Sequence, residues 1–319
     1  MEVAKETCEE ILHNLGFEIS EENGNIKAIS PSWRGDIECE QDLIEEVVRM
    51  IGLDNIPATS MKTAEFPKPV LTPLQNNIVM AKHELASRGM YETVTFSFTD
   101  SNIAKYFRRG PEAVFIQNPT IHGLDEMRPS LLPNLLIGAK NNIARGYGNL
   151  ALFEAAPEFF GRNPGEQRAM ASGIRVGKTA KKDWTNSMRA YDVFDVKADA
   201  LAVIAAAKGP IEAPQITTDA PSYYRPGRSG VIRLGKNVLA YFGELHPAIL
   251  KALDIKTNVM AFEVVLDNTP LPRDAKSKAK KKLELSPLQA VDKDLAFVVA
   301  RNVSAVSIAA AAKNADRSN

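Results

Sequence analysis

Four carboxylates near the N-terminus have the residue types and the spacing of a cation site. Asp42, Glu45 and Glu46 stand at i, i+3 and i+4, so a helix would place them on one face, and Asp36 lies just upstream. Carboxylate oxygens are the ligands that Mg²⁺ prefers, usually together with several retained waters. The same acids suit a helix N-terminus, where Asp42-x-x-Glu45 is an N-capping pattern and the helix dipole favours negative charge. The residue types alone leave both interpretations open and favour capping.

The elements around these acids predict a small module of two helices and a hairpin. One apolar stripe predicts a helix over 42–51, ended by Gly52, and a second stripe predicts a helix over 8–15. Between them, a turn over 21–24 followed by alternating apolar residues predicts a hairpin. Residues 1–58 are therefore interpreted as a winged-helix-like module, which is short enough to be marginally stable alone.

The charge of the chain is balanced overall and uneven along its length. The 319 residues carry 39 Lys+Arg and 39 Asp+Glu, yet residues 1–60 hold fourteen acids and four bases, and residues 273–282 hold six bases and one acid. Such asymmetry predicts modules with different partners. A net charge of zero gives no support to nucleic-acid binding through a general basic excess.

The N-terminus, the apolar content and the cysteines exclude several classes of protein. The first residues are acidic and lack an apolar h-region, so they do not form a secretory signal, and no window reaches the length of a membrane span. Cys8 and Cys39 are far apart and belong to no CxxC pattern, which indicates reduced thiols rather than a disulfide framework or a zinc site. The predicted location is cytoplasmic.

The rest of the chain is predicted to be an α+β domain preceded by a proline-containing linker over 59–73. Strands joined by hairpins and long loops, with helices in blocks, favour a mixed or antiparallel sheet over regular βαβ winding. A last strand and helix cannot bury a core by themselves, so they predict the beginning of a further domain. The predicted strands are 93–98, 114–118, 149–160, 231–242 (a hairpin), 259–266 and 294–300, and the predicted helices are 75–89, 131–145, 195–208, 247–253 and 303–315.

Several short motifs fail on inspection. Residues 173–179, GIRVGKT, lack the first glycine of a phosphate loop because Ser172 stands in its place. His83-Glu84 lacks the second histidine of a zincin because Ser87 occupies that position. No Ser–His–Asp spacing stands out as a nucleophilic triad. These motifs therefore supply no catalytic residue.

A longer pattern carries a resemblance to a known family. The segment PSWRGDIECEQDLIEEVVRMIGLDNIP (31–57) resembles a module of the β subunits of bacterial phenylalanyl-tRNA synthetases, without a gap. Further segments resemble the same family in the same order, so that the resemblance covers essentially the whole chain. They are MRPSLLPNLL (127–136) after an Asn-Pro pair, LFEAAPEFF (152–160), RPGRSG (225–230), FGELHP (242–247) and DLAFVV (294–299).

The resemblance implies a domain order. Residues 1–58 would be the partial winged-helix-like module and 74–270 a domain like the antiparallel-sheet catalytic fold of class II aminoacyl-tRNA synthetases. After a basic linker over 271–285, residues 286–319 would begin a ferredoxin-like anticodon-binding domain. The family's N-terminal tRNA-binding and editing domains would be missing, so the expectation is a fragment of a β subunit.

The resemblance also implies the chemistry. The family's Mg²⁺ site, shared with the α subunit, maps onto Asp36, Asp42, Glu45 and Glu46. Phenylalanine and ATP would be bound by the α subunit, in a heterotetramer of two α and two β subunits that acts on tRNA(Phe).

The domain that resembles the catalytic fold is expected to be catalytically inactive and to serve as the subunit interface. Its strand continues from Glu154 as Ala155-Ala156, without the arginine that holds the ATP α-phosphate in active class II sites. Because the family has Ile-Gly-Arg at 155–157, the end of this strand is expected to be distorted. For Arg128, Arg225 and Arg228 we expect structural ion pairs rather than a relic site.

Two alternatives come from other functional classes. A winged-helix nucleic-acid-binding protein with an appended sensor domain would need a basic recognition helix, whereas the predicted first helix is acidic and would repel phosphate. A carboxylate-based metal hydrolase would need a base and a substrate pocket beside the acids, and the sequence indicates neither.

Overall fold

The computed structural model describes residues 1–60, 70–110, 113–180, 184–185, 188–207, 214–270, 285 and 287–315. The chain divides into two compact units, Met1–Pro270 and Leu271–Asn319. Most of the predicted linker 59–73 and nearly all of the basic linker 271–285 lie outside the described residues. Within the described residues, no helix is both long enough and apolar enough to cross a bilayer.

The N-terminal module forms as its apolar pattern predicts. Its elements in chain order are helix α1 (Lys5–Asn14), strands β1 (Glu18–Glu22) and β2 (Asn25–Ile29), and helix α2 (Glu40–Ile51). The antiparallel hairpin turns at Asn23 and Gly24, whose φ angles of 53° and 81° suit the two-residue turn that matches strand twist. Leu12, Phe17 and Val47 are the buried centre of the module's core.

The larger domain is built on a seven-stranded mixed sheet. Its elements in chain order are α3 (Pro73–Ser87), β3 (Tyr91–Glu92), β4 (Phe98–Thr99), α4 (Ser101–Ala104), β5 (Glu126–Met127), α5 (Leu132–Ala144), β6 (Leu150–Phe159), β7 (Gln167–Val176), α6 (Val193–Ala206), β8 (Gln215–Thr217), β9 (Tyr224–Leu234), β10 (Asn237–Leu245), α7 (Pro247–Ala252) and β11 (Val259–Val265). The sheet order is β3-β6-β7-β11-β10-β9-β8, and every pair is antiparallel except β3–β6. This confirms the predicted mixed sheet and α+β class.

Helices cover both faces of this sheet because its strands are apolar on both sides. Helices α3 and α6 pack on one face, where Leu85 and Val203 join a core with Phe153 and Phe262. Helices α5 and α7 pack on the other face, where Leu135 belongs to the second core. The domain therefore has three layers, and the sheet is its middle layer.

Strand β7, in the interior of the sheet, is absent from the predicted strands, although part of it resembles a phosphate loop. Gly173 lies within it, where an added Cβ would stand 2.6 Å from Phe262 Cε1 and 2.8 Å from Met90 Cε. The strand enters a turn at Gly177, which has a φ of 81°, and the described residues 178–180 that follow are not helical, whereas a phosphate loop leads directly into a helix. This strand-and-turn context does not fit a phosphate loop, and Gly173 serves close packing against Phe262.

Gly173→Ala is expected to lower the free energy of unfolding by about 1–3 kcal/mol, because the new methyl group overpacks the core beside Phe262. Gly138→Ala is the matched control, since a Cβ there comes no closer than 4.0 Å to Leu152 and the helical position favours alanine. Urea unfolding of both variants measures the difference. Equal stability of the two variants would contradict the packing argument.

Two predicted strands are largely wrong. Of 93–98, residues 93–97 belong to no ladder, and their backbone is held by other parts of the fold: Thr93 N–H donates to the Phe153 carbonyl, and the Ser97 carbonyl accepts from Arg128 N–H. Of 114–118, a single bridge between Phe115 and Glu126 forms. Propensity favoured strands, but a ladder also needs a neighbouring strand in register along its length.

The expected distortion at the end of β6 is also wrong. The register with β7 runs without a break from Leu150 opposite Val176 to Phe159 opposite Gln167, and Pro157 pairs with Ala169. Strand β3 pairs with β6 only at Leu152 and Phe153. The missing N–H of proline is therefore tolerated where the strand has one ladder partner.

In the second unit, the predicted helix forms and the predicted strand does not. Helix α8 covers Ala305–Ala315, whereas residues 294–300 adopt no regular structure and expose Phe297 and Val298. Among the described residues of this unit no other strand is present to pair with 294–300, which explains the wrong prediction.

Candidate functional site

A tight turn before helix α2 presents Arg34 to two of the four predicted acids. Arg34 N–H donates to the Pro31 carbonyl at 3.0 Å, and Ser30 Oγ donates to the Arg34 carbonyl at 3.0 Å. The guanidinium then contacts both oxygens of Asp36, with Nε to Oδ1 at 2.9 Å and Nη2 to Oδ2 at 2.7 Å. Arg34 Nη2 also donates to Glu46 Oε1 at 2.9 Å. One cation therefore joins Asp36 in the loop to Glu46 on the helix.

Glu46 is held by two arginines. Its side chain is buried, and its second oxygen accepts from Arg49 Nη2 at 2.5 Å. Hydrogen bonds from Arg34 lower the pKa of Asp36 to about 2, and hydrogen bonds from Arg34 and Arg49 lower the pKa of Glu46 to about 2. Both carboxylates are therefore fully ionised at neutral pH, as partners of these guanidinium groups.

Asp42 caps the helix. Its Oδ2 accepts from the N–H groups of Glu38 and Cys39 at 2.8 and 2.9 Å, and from Cys39 Sγ at 3.3 Å. These hydrogen bonds lower the pKa of Asp42. Asp42 thus takes part in capping, but the predicted Asp42-x-x-Glu45 pattern is wrong in position, because Cys39 is the N-cap residue and Asp42 is the third residue of the helix. Glu45 is exposed and makes no hydrogen bond or ion pair to another described residue.

The four acids do not fit a divalent cation in this arrangement. The oxygens of Asp36 and Glu46 already accept from guanidinium groups, and one oxygen of Asp42 accepts from the backbone. The described residues include no group of three or more His, Cys, Asp or Glu side chains placed to hold a metal ion. The sequence placed Asp42, Glu45 and Glu46 on one helix correctly but did not reveal Arg34 as the partner of Asp36 and Glu46.

A second polar constellation crosses the large sheet on the face that α5 covers. The register aligns Glu154 on β6 with Ser172 on β7, and Ser172 with Glu263 on β11. All three residues are buried. Because a buried charge must be paired, each glutamate requires partners from the segments that cover the sheet.

Glu154 is paired with Arg128, which is only 2% exposed. Arg128 Nη1 donates to Glu154 Oε1 at 2.7 Å, and Nε donates to the Pro157 carbonyl at 3.0 Å. Thr95 Oγ1 donates to Glu154 Oε2 at 2.7 Å and accepts from Asn134 Nδ2 at 3.0 Å. The pair is therefore enclosed in hydrogen bonds that also fix segment 93–97 and helix α5.

The carboxylates of Glu263 and Glu244 likewise accept hydrogen bonds from neighbouring side chains. Ser130 Oγ and Tyr223 OH each donate to Glu263 at 2.7 Å, and Tyr224 OH donates at 3.2 Å. Burial raises the pKa of both tyrosines well above its usual value, so the hydroxyls stay protonated and act as donors. Two arginines, Arg225 and Arg228, donate to Glu244 at 2.8 and 3.0 Å. The ion pairs expected for Arg128, Arg225 and Arg228 are all observed.

Comparison with known families decides the assignment. The model described as phenylalanyl tRNA synthetase beta chain CLM domain matches residues 56–266, and the model described as tRNA synthetase B5 domain matches residues 1–53. The chain belongs to the phenylalanyl-tRNA synthetase β-chain family. The resemblance of the 31–57 motif and of the later segments is thereby confirmed.

Individual members of the family align over nearly the whole chain. The phenylalanine–tRNA ligase β subunit of Rhodospirillum rubrum is 46% identical over 318 residues, which are 99% of this chain and 40% of that protein. The β subunit of Paramagnetospirillum magneticum is 44% identical over 99% of this chain and 40% of that protein. This chain therefore spans about 40% of the length of these relatives. Among solved structures, a pyrrolysyl-tRNA synthetase from Desulfitobacterium hafniense aligns at 12% identity with a TM-score of 0.49, over 83% of this chain and 88% of that one.

This member of the β-chain family also has an exposed apolar strip that the sequence analysis missed. Val94, Phe96 and Phe98, which we call the apolar strip, are 89%, 61% and 38% exposed. They line a groove of about 440 Å³ whose other wall includes Leu124 and Ile137. The strip alternates with inward-facing polar residues, as Thr95 shows through its hydrogen bond to Glu154.

The alternation of polar and apolar residues over 93–98 is the sequence signal from which the apolar strip could be found. In a half-buried strand the apolar residues normally face the core. In TVTFSF the threonines and the serine are the half-buried residues instead, and Thr93 and Thr95 donate to the Phe153 carbonyl and to Glu154. Whether the apolar or the polar residues of this alternating segment face inward depends on the buried polar groups beside it. These groups belong to Arg128, Glu154 and Asn134, which are distant in the chain. A contiguous exposed apolar surface of this kind is a candidate interaction site.

Proposed function

We propose that this chain acts as the scaffold of a phenylalanine–tRNA ligase β subunit, and that attachment of phenylalanine to tRNA(Phe) takes place on a partner α subunit. Membership of the β-chain family supports this proposal and favours it over the sensor and hydrolase alternatives. The α subunit would bind ATP and phenylalanine, in a cytoplasmic assembly of two α and two β subunits.

The buried polar residues on the sheet face that α5 covers support the proposal that this chain has no catalytic activity of its own. Amino-acid activation needs fixed positive charge directed at the ATP phosphates. Here Glu154 is followed by Ala155 and Ala156, and the nearby guanidinium of Arg128 is 2% exposed and bound to Glu154 and the Pro157 carbonyl. The described part of this face thus offers ATP no free arginine at the position where an active enzyme would need one.

The apolar strip supports the docking of a protein partner. Its three side chains project from a segment whose backbone is hydrogen-bonded to Phe153 and Arg128, so the fold already holds the strip in place before any partner binds. A preorganised apolar surface loses little entropy on association. We assign the α-subunit interface to this strip and its groove.

The Mg²⁺ site belongs to the proposal as a property of the assembled enzyme. Asp36, Asp42, Glu45 and Glu46 are the ligands implied by the family resemblance. Since they do not fit the ion within this chain, the ion would require the partner's contribution and a rearrangement around Arg34.

Co-expression with the α subunit tests the proposal. The full chain is expected to elute in one complex with the α subunit of the Rhodospirillum rubrum ligase, and light scattering gives the mass of that complex. The purified chain alone is expected to show no phenylalanine-dependent ATP–pyrophosphate exchange. Separate elution would contradict the scaffold role. ATP–pyrophosphate exchange by the chain alone would contradict the proposal that this chain is catalytically inactive.

A further inference from the structure

One amide side chain of helix α5 reaches three residues of the segment that carries the apolar strip. We propose that this residue, Asn134, is a positioning residue, which fixes the strip in its outward-facing conformation and thereby sets how tightly the partner binds. The inference rests on the docking role proposed for the strip, and one arm of its test is measured on this chain alone.

The contacts of Asn134 run along the inner side of the strip. Its Nδ2 lies 2.8 Å from the Phe96 carbonyl oxygen, 3.0 Å from Thr95 Oγ1 and 3.3 Å from the Phe98 carbonyl oxygen. An amide nitrogen has two N–H groups, so one of them is shared between acceptors. Two of the three strip residues are therefore bound through their backbone to a single side chain.

Asn134 is itself fixed by the helix that carries it. It is the third residue of α5, it is 8% exposed, and the next two residues, Leu135 and Leu136, are fully buried in the core. A polar group on a well-packed helix holds its contacts more precisely than one on a loop. The donor is therefore in place whether or not a partner is bound.

The other donor to the strip cannot replace Asn134. Arg128 Nη1 also lies 3.3 Å from the Phe96 carbonyl oxygen, but its shorter contact is with Glu154 at 2.7 Å. Among the described residues, Asn134 is the one side-chain donor to the Phe98 carbonyl. Loss of the amide thus frees the far end of the strip and weakens the hold on its middle.

Partner affinity should depend on these contacts because the strip's own side chains do not hold it. Val94 and Phe96 are 89% and 61% exposed, so packing within the chain does little to keep them directed outward. Apparent affinity falls in proportion to the fraction of molecules in the binding-competent conformation. Each hydrogen bond removed shifts such an equilibrium by up to several-fold.

Two substitutions at Asn134 test the role of the amide nitrogen. Asn134→Ala removes it, and Asn134→Asp keeps the shape of the side chain but places an oxygen against the two carbonyls. In both variants, chymotrypsin is expected to cleave after Phe96 and Phe98 at least about fivefold faster than in the unmodified chain, because the segment opens locally more often. Mass spectrometry assigns the cuts. Surface plasmon resonance is expected to show at least about threefold weaker binding to immobilised α subunit.

Asn142→Ala is the matched control on the same helix. Asn142 Nδ2 donates to the Gly138 carbonyl at 2.8 Å, within α5, and makes no contact with the strip. Both the cleavage rate and the α-subunit affinity of this variant are expected to equal those of the unmodified chain.

Three results would overturn the inference. Unchanged cleavage after Phe96 and Phe98 in both Asn134 variants would mean that the amide does not hold the strip. Cleavage that accelerates equally throughout the large domain would mean general destabilisation. Faster local cleavage with unchanged α-subunit affinity, while Phe96→Asp loses affinity, would mean that the held conformation does not govern docking. If Phe96→Asp keeps its affinity, the interface assignment fails, and the cleavage rates alone decide whether Asn134 positions the strip.

Discussion

Arg128→Ala is expected to lower the free energy of unfolding of the large domain by about 3–5 kcal/mol, one of the largest effects we expect from a single substitution. The change removes the arginine partner of Glu154, which is 3% exposed, and leaves its carboxyl group enclosed in the core without a counter-ion. It also leaves the Pro157 carbonyl without its donor. Urea unfolding followed by far-ultraviolet circular dichroism measures the loss.

Arg225→Ala is the matched control for this prediction. Arg225 is 40% exposed, and its partner Glu244 keeps a second arginine, Arg228, at 3.0 Å. The expected loss is within about 1 kcal/mol, as for other partly exposed ion pairs. If Arg225→Ala destabilised the chain as much as Arg128→Ala, burial of the Arg128–Glu154 pair could not be the reason for the large effect.

Replacing both partners separates the charge from the packing. Arg128→Met combined with Glu154→Leu removes the buried charges together, so most of the loss caused by Arg128→Ala should be recovered. Persistence of the full loss in the double variant would assign it to the hydrogen bonds around Thr95 and Asn134 instead.

The second large effect is expected at the apolar strip. Phe96→Asp should weaken association with the α subunit by at least about 30-fold, because a charge then stands at the centre of the proposed apolar contact. The side chain is 61% exposed, so the folded chain itself should be almost unaffected. Surface plasmon resonance with immobilised α subunit gives the affinity, and thermal unfolding checks the fold.

Trp184→Asp is the control for the strip. Trp184 is 95% exposed and lies outside the strip and its groove, so the same charge introduced there should leave the affinity unchanged. Normal α-subunit binding by Phe96→Asp would assign the interface to another surface. A loss of the same size in both variants would indicate a general charge effect.

Much of the fold could be predicted from local pattern. The predicted ranges of α1, α2, α5 and α6 agree with the observed helices to within a few residues, since a helix needs one apolar face and a capped end. Strands were less predictable, because their ladders depend on distant neighbours. Segment 93–97 has the composition of a strand and no ladder, while β7, with Gly173 at its centre, is a full strand that the pattern did not reveal.

The candidate site shows the same division. The sequence by itself determined the family, through collinear motifs, and the placement of Asp42, Glu45 and Glu46 on one helix. Only the tertiary structure decided what each acid contacts: Arg34 bridges Asp36 to Glu46 across a turn, and Arg128 reaches Glu154 from another segment. The reason is physical. Periodicity fixes which face of an element a residue occupies, whereas an ion pair depends on distances of a few ångströms that packing and strand register set.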